Sequence, residues 1–279
     1  MPGAGPSSVR KSSISRIERT IVECLGHAPP HKKTVDALQI DHLGKRYGET
    51  TALDDASVVF EPGTVHTILG ENGSGKSTML KLLSGVVSPT SGSVSINGRP
   101  VTAQSPRDMQ AYGLGTVFQE VLVAPHRSVI ENIFLGYDGP IRRNIDRDAR
   151  RRVARAVLDR IATLAIDVDA PASSLPLAAQ QLVVLARAFV RLPAILLLDE
   201  ATAALDYGDR EKVFQTVEDY AAAGNIVIFI SHRMEEVKRL SHRVTVLRSG
   251  RIVETLEKDQ ITAELLLALM APEVHVDVR

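Results

Sequence analysis

Nine residues, Gly70-Glu-Asn-Gly-Ser-Gly-Lys-Ser-Thr78, constrain this chain more than any other stretch. They fit the pattern G-x-x-x-x-G-K-[ST], and their surroundings are those the pattern requires. The short apolar run Val65–Leu69 leads into the loop, and Lys76–Ser84 continues from it as a helix. The spacing follows from phosphate chemistry. Gly70, Gly73 and Gly75 let backbone N–H groups converge on phosphate oxygens, with Glu71, Asn72 and Ser74 between them, and the helix N-terminus adds a favourable dipole. Lys76 is placed to reach β- and γ-phosphates, Ser77 to ligate Mg²⁺ through its hydroxyl, and Thr78 to contact the α-phosphate. The loop therefore predicts a nucleoside triphosphate site.

Two apolar strands far along the chain supply the rest of that chemistry. Ala194–Leu198 delivers Asp199 and Glu200 to its carboxyl end, the edge where open α/β sheets bind ligands. Asp199 has the context of a Mg²⁺ ligand, and Glu200 that of a general base for an attacking water. Ile226–Ile230 ends in Ser231-His232, which puts a γ-phosphate hydrogen-bonding group on the same edge. Gln119, after the strand Gly115–Phe118, can bind Mg²⁺ or water.

Lys plus Arg equals Asp plus Glu at 33 each, so nucleic acid is not indicated as a partner. The cluster Arg150, Arg151, Arg152 and Arg155 is flanked by Asp146, Asp148 and Asp159 and reads as a solvated helix face. The single cysteine, Cys24, rules out an internal disulfide and has no evident activating partner. No apolar run is long enough for a membrane span. Residues 1–12, rich in Gly, Pro and Ser, predict disorder, and Ile14, Ile17, Ile21 and Leu25 then share one face of a short amphipathic helix. From Ala37 strands and turns begin, including an Asn97-Gly98 hairpin turn. A mainly helical stretch covers 128–165 with Asp146 as a helix cap, and a further helix runs from about Gln180 to Arg191. Alternating strands and helices follow, predicting an α/β fold with a mostly parallel sheet covered on both faces. No internal repeat is evident.

In order and spacing these residues resemble the ATP-binding cassette (ABC) ATPases, from roughly Ala37 to Met270. The resemblance implies a P-loop NTPase core with an antiparallel β subdomain and an α-helical subdomain at about 120–180. It divides the chain into an N-terminal extension (1–36), a cassette (37–275) and a short tail (276–279). Gly70–Thr78 is similar to the Walker A loop and Ile195–Glu200 to the Walker B strand with its catalytic glutamate. Gln119 is similar to the Q-loop glutamine, His232 to the switch histidine, and Ala203-Ala-Leu-Asp206 to the D-loop. Tyr47 stands where the family places an aromatic that stacks on adenine. Glu131-Asn-Ile-Phe-Leu-Gly136, Ile145-Asp-Arg147 and Ile230-Ser-His-Arg-Met-Glu-Glu-Val237 resemble the ribose and xylose importers.

That resemblance implies ATP and Mg²⁺ as ligands, and a membrane permease, a second cassette and a solute-binding protein as partners. It also implies a cytoplasmic position on the inner face of the membrane. A non-transport ABC ATPase and a regulatory cassette with little turnover stay open as alternatives. The signature segment departs from the family. It reads Leu175-Pro-Leu-Ala-Ala-Gln-Gln181 where most members have Leu-Ser-Gly-Gly-Gln. Pro176 offers neither a hydroxyl nor a backbone N–H, and Leu177 and Ala178 replace glycines. The expected partner is therefore a different cassette with an intact signature. Importers of this type often carry two cassettes in one chain, and the signature here resembles the first of such tandems.

Overall fold

The computed structural model describes Ile21 and residues 34–102, 105–137 and 146–271. The expected disorder of residues 1–12, most of the amphipathic helix, the tail 276–279 and Ile145 lie outside the described residues. Ile21 is helical and fully buried in the main apolar core.

Two sheets organise the chain. The larger has the order β10-β9-β3-β8-β7-β6, built from β3 (Val65–Leu69), β6 (Leu114–Val117), β7 (Ile195–Asp199), β8 (Ile226–Ile230), β9 (Arg243–Arg248) and β10 (Arg251–Glu257). Neighbours from β9 to β6 run parallel, and only β10 is antiparallel, at the edge. Every residue of β3, β7 and β8 is buried, which is why Ile195–Leu198 and Ile226–Ile230 read as unbroken apolar runs rather than alternating ones, while β3 also buries His66 and Thr67. The pleat still sorts their side chains by parity. Leu196, Leu198, Val227 and Phe229 enter one core, and Ile195, Leu197, Ile226 and Ile228 the other.

The first of these cores lies under α4 (Arg147–Ile161), α5 (Leu177–Val190) and α6 (Tyr207–Ala222). The second holds α1 (Lys76–Leu83) against the smaller sheet. That sheet is antiparallel, with order β2-β1-β4-β5 from β1 (Leu38–Tyr47), β2 (Thr50–Phe60), β4 (Ser91–Ile96) and β5 (Arg99–Pro100). Asn97 and Gly98, both at positive φ (52° and 71°), close the β4–β5 hairpin as the sequence predicts. Short helices α2 (Pro106–Ala111) and α3 (Val129–Ile133) precede and follow β6.

Several bounds differ from the sequence reading. Among its described residues the helical stretch 128–165 holds two helices, α3 and α4, and Asp146 caps the second by accepting the Ala149 N–H. The strand expected at Gly115–Phe118 is Leu114–Val117. The helix expected from Gln180 begins at Leu177, because Pro176 is a tolerated N-cap and Leu177 continues the helical backbone. Helix α7 (Met234–Leu240) joins β8 to β9. The chain then turns back as β10, paired with β9, and ends its described part in α8 (Ala263–Met270). Leu266 of α8 is fully buried in a small third core with Val244, Val246 and Leu256.

Candidate nucleotide site

Two glycines of the loop after β3 leave no room for a side chain, and a third, Gly73, holds a φ of 83°. A Cβ on Gly70 would stand 2.3 Å from the Leu247 carbonyl oxygen and 2.5 Å from Ser74 Oγ. Gly75 has φ 107°, and a Cβ there would meet the Ala52 carbonyl oxygen at 2.7 Å. Gly75 is the N-cap of α1 and no side chain caps that helix, so its first-turn N–H groups face the cavity mouth. Lys76 turns back on its own loop, donating to the carbonyl oxygens of Gly70 (2.6 Å) and Glu71 (2.8 Å). Burial pulls its pKa down, and the charges of Glu200, Asp199 and Glu71 pull it back up.

Parallel pairing carries the acids and the histidine to the same edge. Register places Asp199 beside Ile230, so the turns after β7 and β8 are neighbours. His232 Nδ1 lies 2.9 Å from Glu200 Oε1. Glu200 holds a φ of 46°, uncommon for a side-chain-bearing residue, and its N–H donates to the Ile230 carbonyl at 3.0 Å. Burial first, and the like charge of Glu200 second, push the Asp199 pKa up to about 6, against the pull of Lys76 and of the Gln119 backbone N–H bonded to it. A buried acid next to another acid, with one ammonium nearby, is a donor set that a divalent cation complements. Among the described residues no cluster of three or more His, Cys, Asp or Glu could hold a metal by itself. A cation here would therefore rest on Asp199, the Ser77 hydroxyl and Gln119 together with phosphate oxygens.

These groups line one cavity of about 980 Å³. It brings together Tyr47, Gly70, Glu71, Asn72, Gly73, Gly75, Lys76, Ser77, Thr78, Gln119, Asp199, Glu200 and His232 from distant parts of the chain. Tyr47 is 44% exposed, with the Lys45 ammonium 5.1 Å from its ring centroid, so one face of the ring remains for a ligand to stack on. Two expected residues are elsewhere. Ser74 is buried behind the loop, and Asp206 caps α6 by accepting the Asp209 N–H at 2.8 Å. The sequence reading misses Thr50, Thr51, Ala52 and Met270, which complete the wall. Thr50–Ala52 open β2 and carry no phosphate-binding signal of their own. Met270 is held at the site by the packing of α8 on the third core and by Arg248, which donates to the carbonyls of Leu269 and Ala271.

Residues 53–203, more than half of the chain, match the family described as ABC transporter. The chain belongs to that family. Among its ABC relatives, the ribose import ATP-binding protein RbsA 1 of Rhizobium johnstonii is 39% identical over 241 residues, 86% of this chain and 47% of that protein. The ribose import ATP-binding protein RbsA of Rhodococcus jostii is 38% identical over 237 residues, 85% of this chain and 47% of its own. The chain thus spans about half the length of the curated relatives it matches. A dimeric bacterial ABC transporter cassette, MJ0796, superposes with a TM-score of 0.72 at 27% identity, covering 79% of this chain and 98% of that one. A second structure of that cassette, in a post-hydrolysis state bound to ADP and Pi, matches with a TM-score of 0.72 at 25% identity over the same shares. The α/β P-loop architecture expected from the sequence is therefore that of an ABC cassette.

The signature segment of this ABC chain is an ordinary helix start. Pro176 caps α5 without a side-chain hydrogen bond, and Leu177 is 59% exposed. From α5, Arg187 donates to the carbonyls of Asn132 (2.8 Å) and Leu122 (3.0 Å), and Arg191 to that of Leu135 (2.6 Å). The signature helix and the segment 122–135 are thereby one braced unit.

Proposed function

We propose that this chain is the ATP-binding and ATP-hydrolysing motor of an ABC importer, working on a separate membrane permease with a sugar as cargo. The observation that carries the reading is the Glu200–His232 pair facing Lys76 across one cavity. In this reading residues 37–275 form the ATPase domain. Lys76 exchanges its loop carbonyls for β- and γ-phosphate oxygens, the loop N–H groups hold the phosphates, and Tyr47 stacks on the base. Ser77, Asp199 and Gln119 hold Mg²⁺, which when bound neutralises charge on the phosphates. Glu200 orients the attacking water and accepts its proton, and His232 turns from Glu200 to the γ-phosphate. Thr78 and Ser74 assist through the loop, and Asp206 belongs to the segment that meets a second cassette.

The sugar assignment rests on relatives named ribose import ATP-binding proteins. No helix among the described residues is long and apolar enough to cross a membrane. In this reading the motor sits on the inner face of the membrane, bound to its permease through the braced segment that exposes Leu122 and Leu135. A solute-binding protein completes the system. The second cassette differs from this one in its signature, since Pro176 gives a facing nucleotide neither hydroxyl nor N–H.

The test is ATP hydrolysis by the chain with its permease in lipid vesicles. Glu200→Gln should abolish hydrolysis and leave ATP binding intact. Turnover that survives this substitution sinks the assignment. The altered signature favours one second reading, a regulatory cassette; ATP binding without hydrolysis beside the working permease is its mark.

A further inference from the structure

We infer that Glu236 is a positioning residue for hydrolysis, clamping the turn that carries His232 to the turn that carries Glu200; the inference rests on the motor reading above. Glu236 lies in the first turn of α7 and is 3% exposed. A carboxylate taken out of water is costly unless both its oxygens find donors. Both do so here. Thr202 Oγ1 donates to Oε1 at 3.0 Å, Ser231 Oγ donates to Oε2 at 2.6 Å, and Arg233 Nη1 stands 3.5 Å from Oε1. Thr202 follows Glu200 by two residues, and Ser231 directly precedes His232. The Arg233 guanidinium also reaches the Ala203 carbonyl at 3.3 Å, and its backbone N–H donates to Ser231 Oγ at 3.0 Å.

The two turns are therefore joined twice. On the cavity side the bond is His232–Glu200, with the imidazole half exposed and able to leave. On the buried side the bonds are those of Glu236, with Thr202 and Ser231 both out of solvent. The division of labour follows from burial. The outer contact opens when His232 takes a phosphate oxygen, and the inner network keeps Glu200 and His232 in register while it does. Glu200 needs that frame, because a left-handed backbone on glutamate persists only where its surroundings over-determine it. The run Ile230–Val237 therefore contains two functions: the histidine that touches the ligand and, four residues on, the acid that holds the histidine's turn.

The test uses the full chain, assembled with its permease in lipid vesicles, carrying Thr202→Val, Thr202→Ser or Glu236→Gln, with Glu236→Ala set aside because it strands buried hydroxyls and risks misfolding. Equilibrium binding of MgATP and single-turnover hydrolysis are measured side by side. Thr202→Val and Glu236→Gln should leave MgATP affinity unchanged and slow the chemical step by up to roughly 10²-fold, the scale of a small misplacement of a reacting group. Thr202→Ser, which restores the hydroxyl, should recover the rate. Wild-type rates in both slowed variants, or parallel losses of affinity and rate, overturn the clamp. A wild-type chain that, assembled with its permease, binds ATP and never hydrolyses it overturns the motor reading instead. Hydrogen exchange across 199–206 then decides the clamp: faster exchange in Thr202→Val supports it, and unchanged exchange overturns it.

Discussion

Lys76 and His66 are both buried bases, and the chain handles them in opposite ways. Burial lowers the Lys76 pKa, but the charges of Glu200, Asp199 and Glu71 offset part of that and favour its ammonium form. His66 is set beside a cation instead. Burial, reinforced by the Arg243 charge, pushes its pKa down to about 3 from the usual 6.5, and the neutral ring packs edge-on against Phe60 while bonding Thr245. The unfolded chain binds a proton on this histidine below pH 6.5, and the folded one does not until about pH 3. Its contribution to stability is thus present above 6.5 and lost as pH falls across that window. The urea midpoint of the wild type should fall more steeply between neutral and mildly acidic pH than that of His66→Gln; parallel slopes would contradict this. In the sequence His66 is indistinguishable from the other histidines, because what sets it apart is the strand β9 beside it. His232 is legible, since a strand end in a parallel sheet is a defined place. The glycine loop is legible apart from Ser74, because phosphate chemistry requires its parts to be contiguous. Met270 and Thr50–Ala52 are not, because their place in the wall depends on packing between segments far apart in the chain.

At the scale of elements, α5 is the one whose start carries a consequence. Its apolar face, including Leu182, Val183, Leu185 and Phe189, is core whatever precedes it, so the helix tolerates Pro176 at its cap. What the proline removes is a donor at the surface. Replacing Pro176-Leu-Ala178 by Ser-Gly-Gly should raise the ATPase of purified chain at concentrations that favour pairing, by up to about 10²–10³-fold if one transition-state donor is regained. No gain would mean that copies of this chain do not face each other's nucleotides. The sequence shows the middle of α5 and hides its first turn, because proline reads as a breaker unless it stands at the helix entrance. Edge strand β10 is hidden for a related reason: it pairs on one side only, and most of its residues are half-buried or exposed, so no apolar run marks it.

For the molecule as a whole, Ile21 shows that the chain ahead of β1 contributes to the core. It is fully buried in the cluster that also holds Val157, Phe189 and Phe214. Ile21→Ala should cost about 2–5 kcal/mol of unfolding free energy, measured by urea denaturation. An unchanged midpoint would detach that segment from the fold. The order of the large sheet carries a different consequence. Strand β3, which leads into the phosphate loop, lies between β8 and β9, and the Val65 N–H donates to the His242 ring 177 positions further along. Contacts so distant in sequence form late. A chain emerging from the ribosome thus carries its phosphate-loop motif before the strands that flank it, and the site becomes competent only once β8 and β9 have been made.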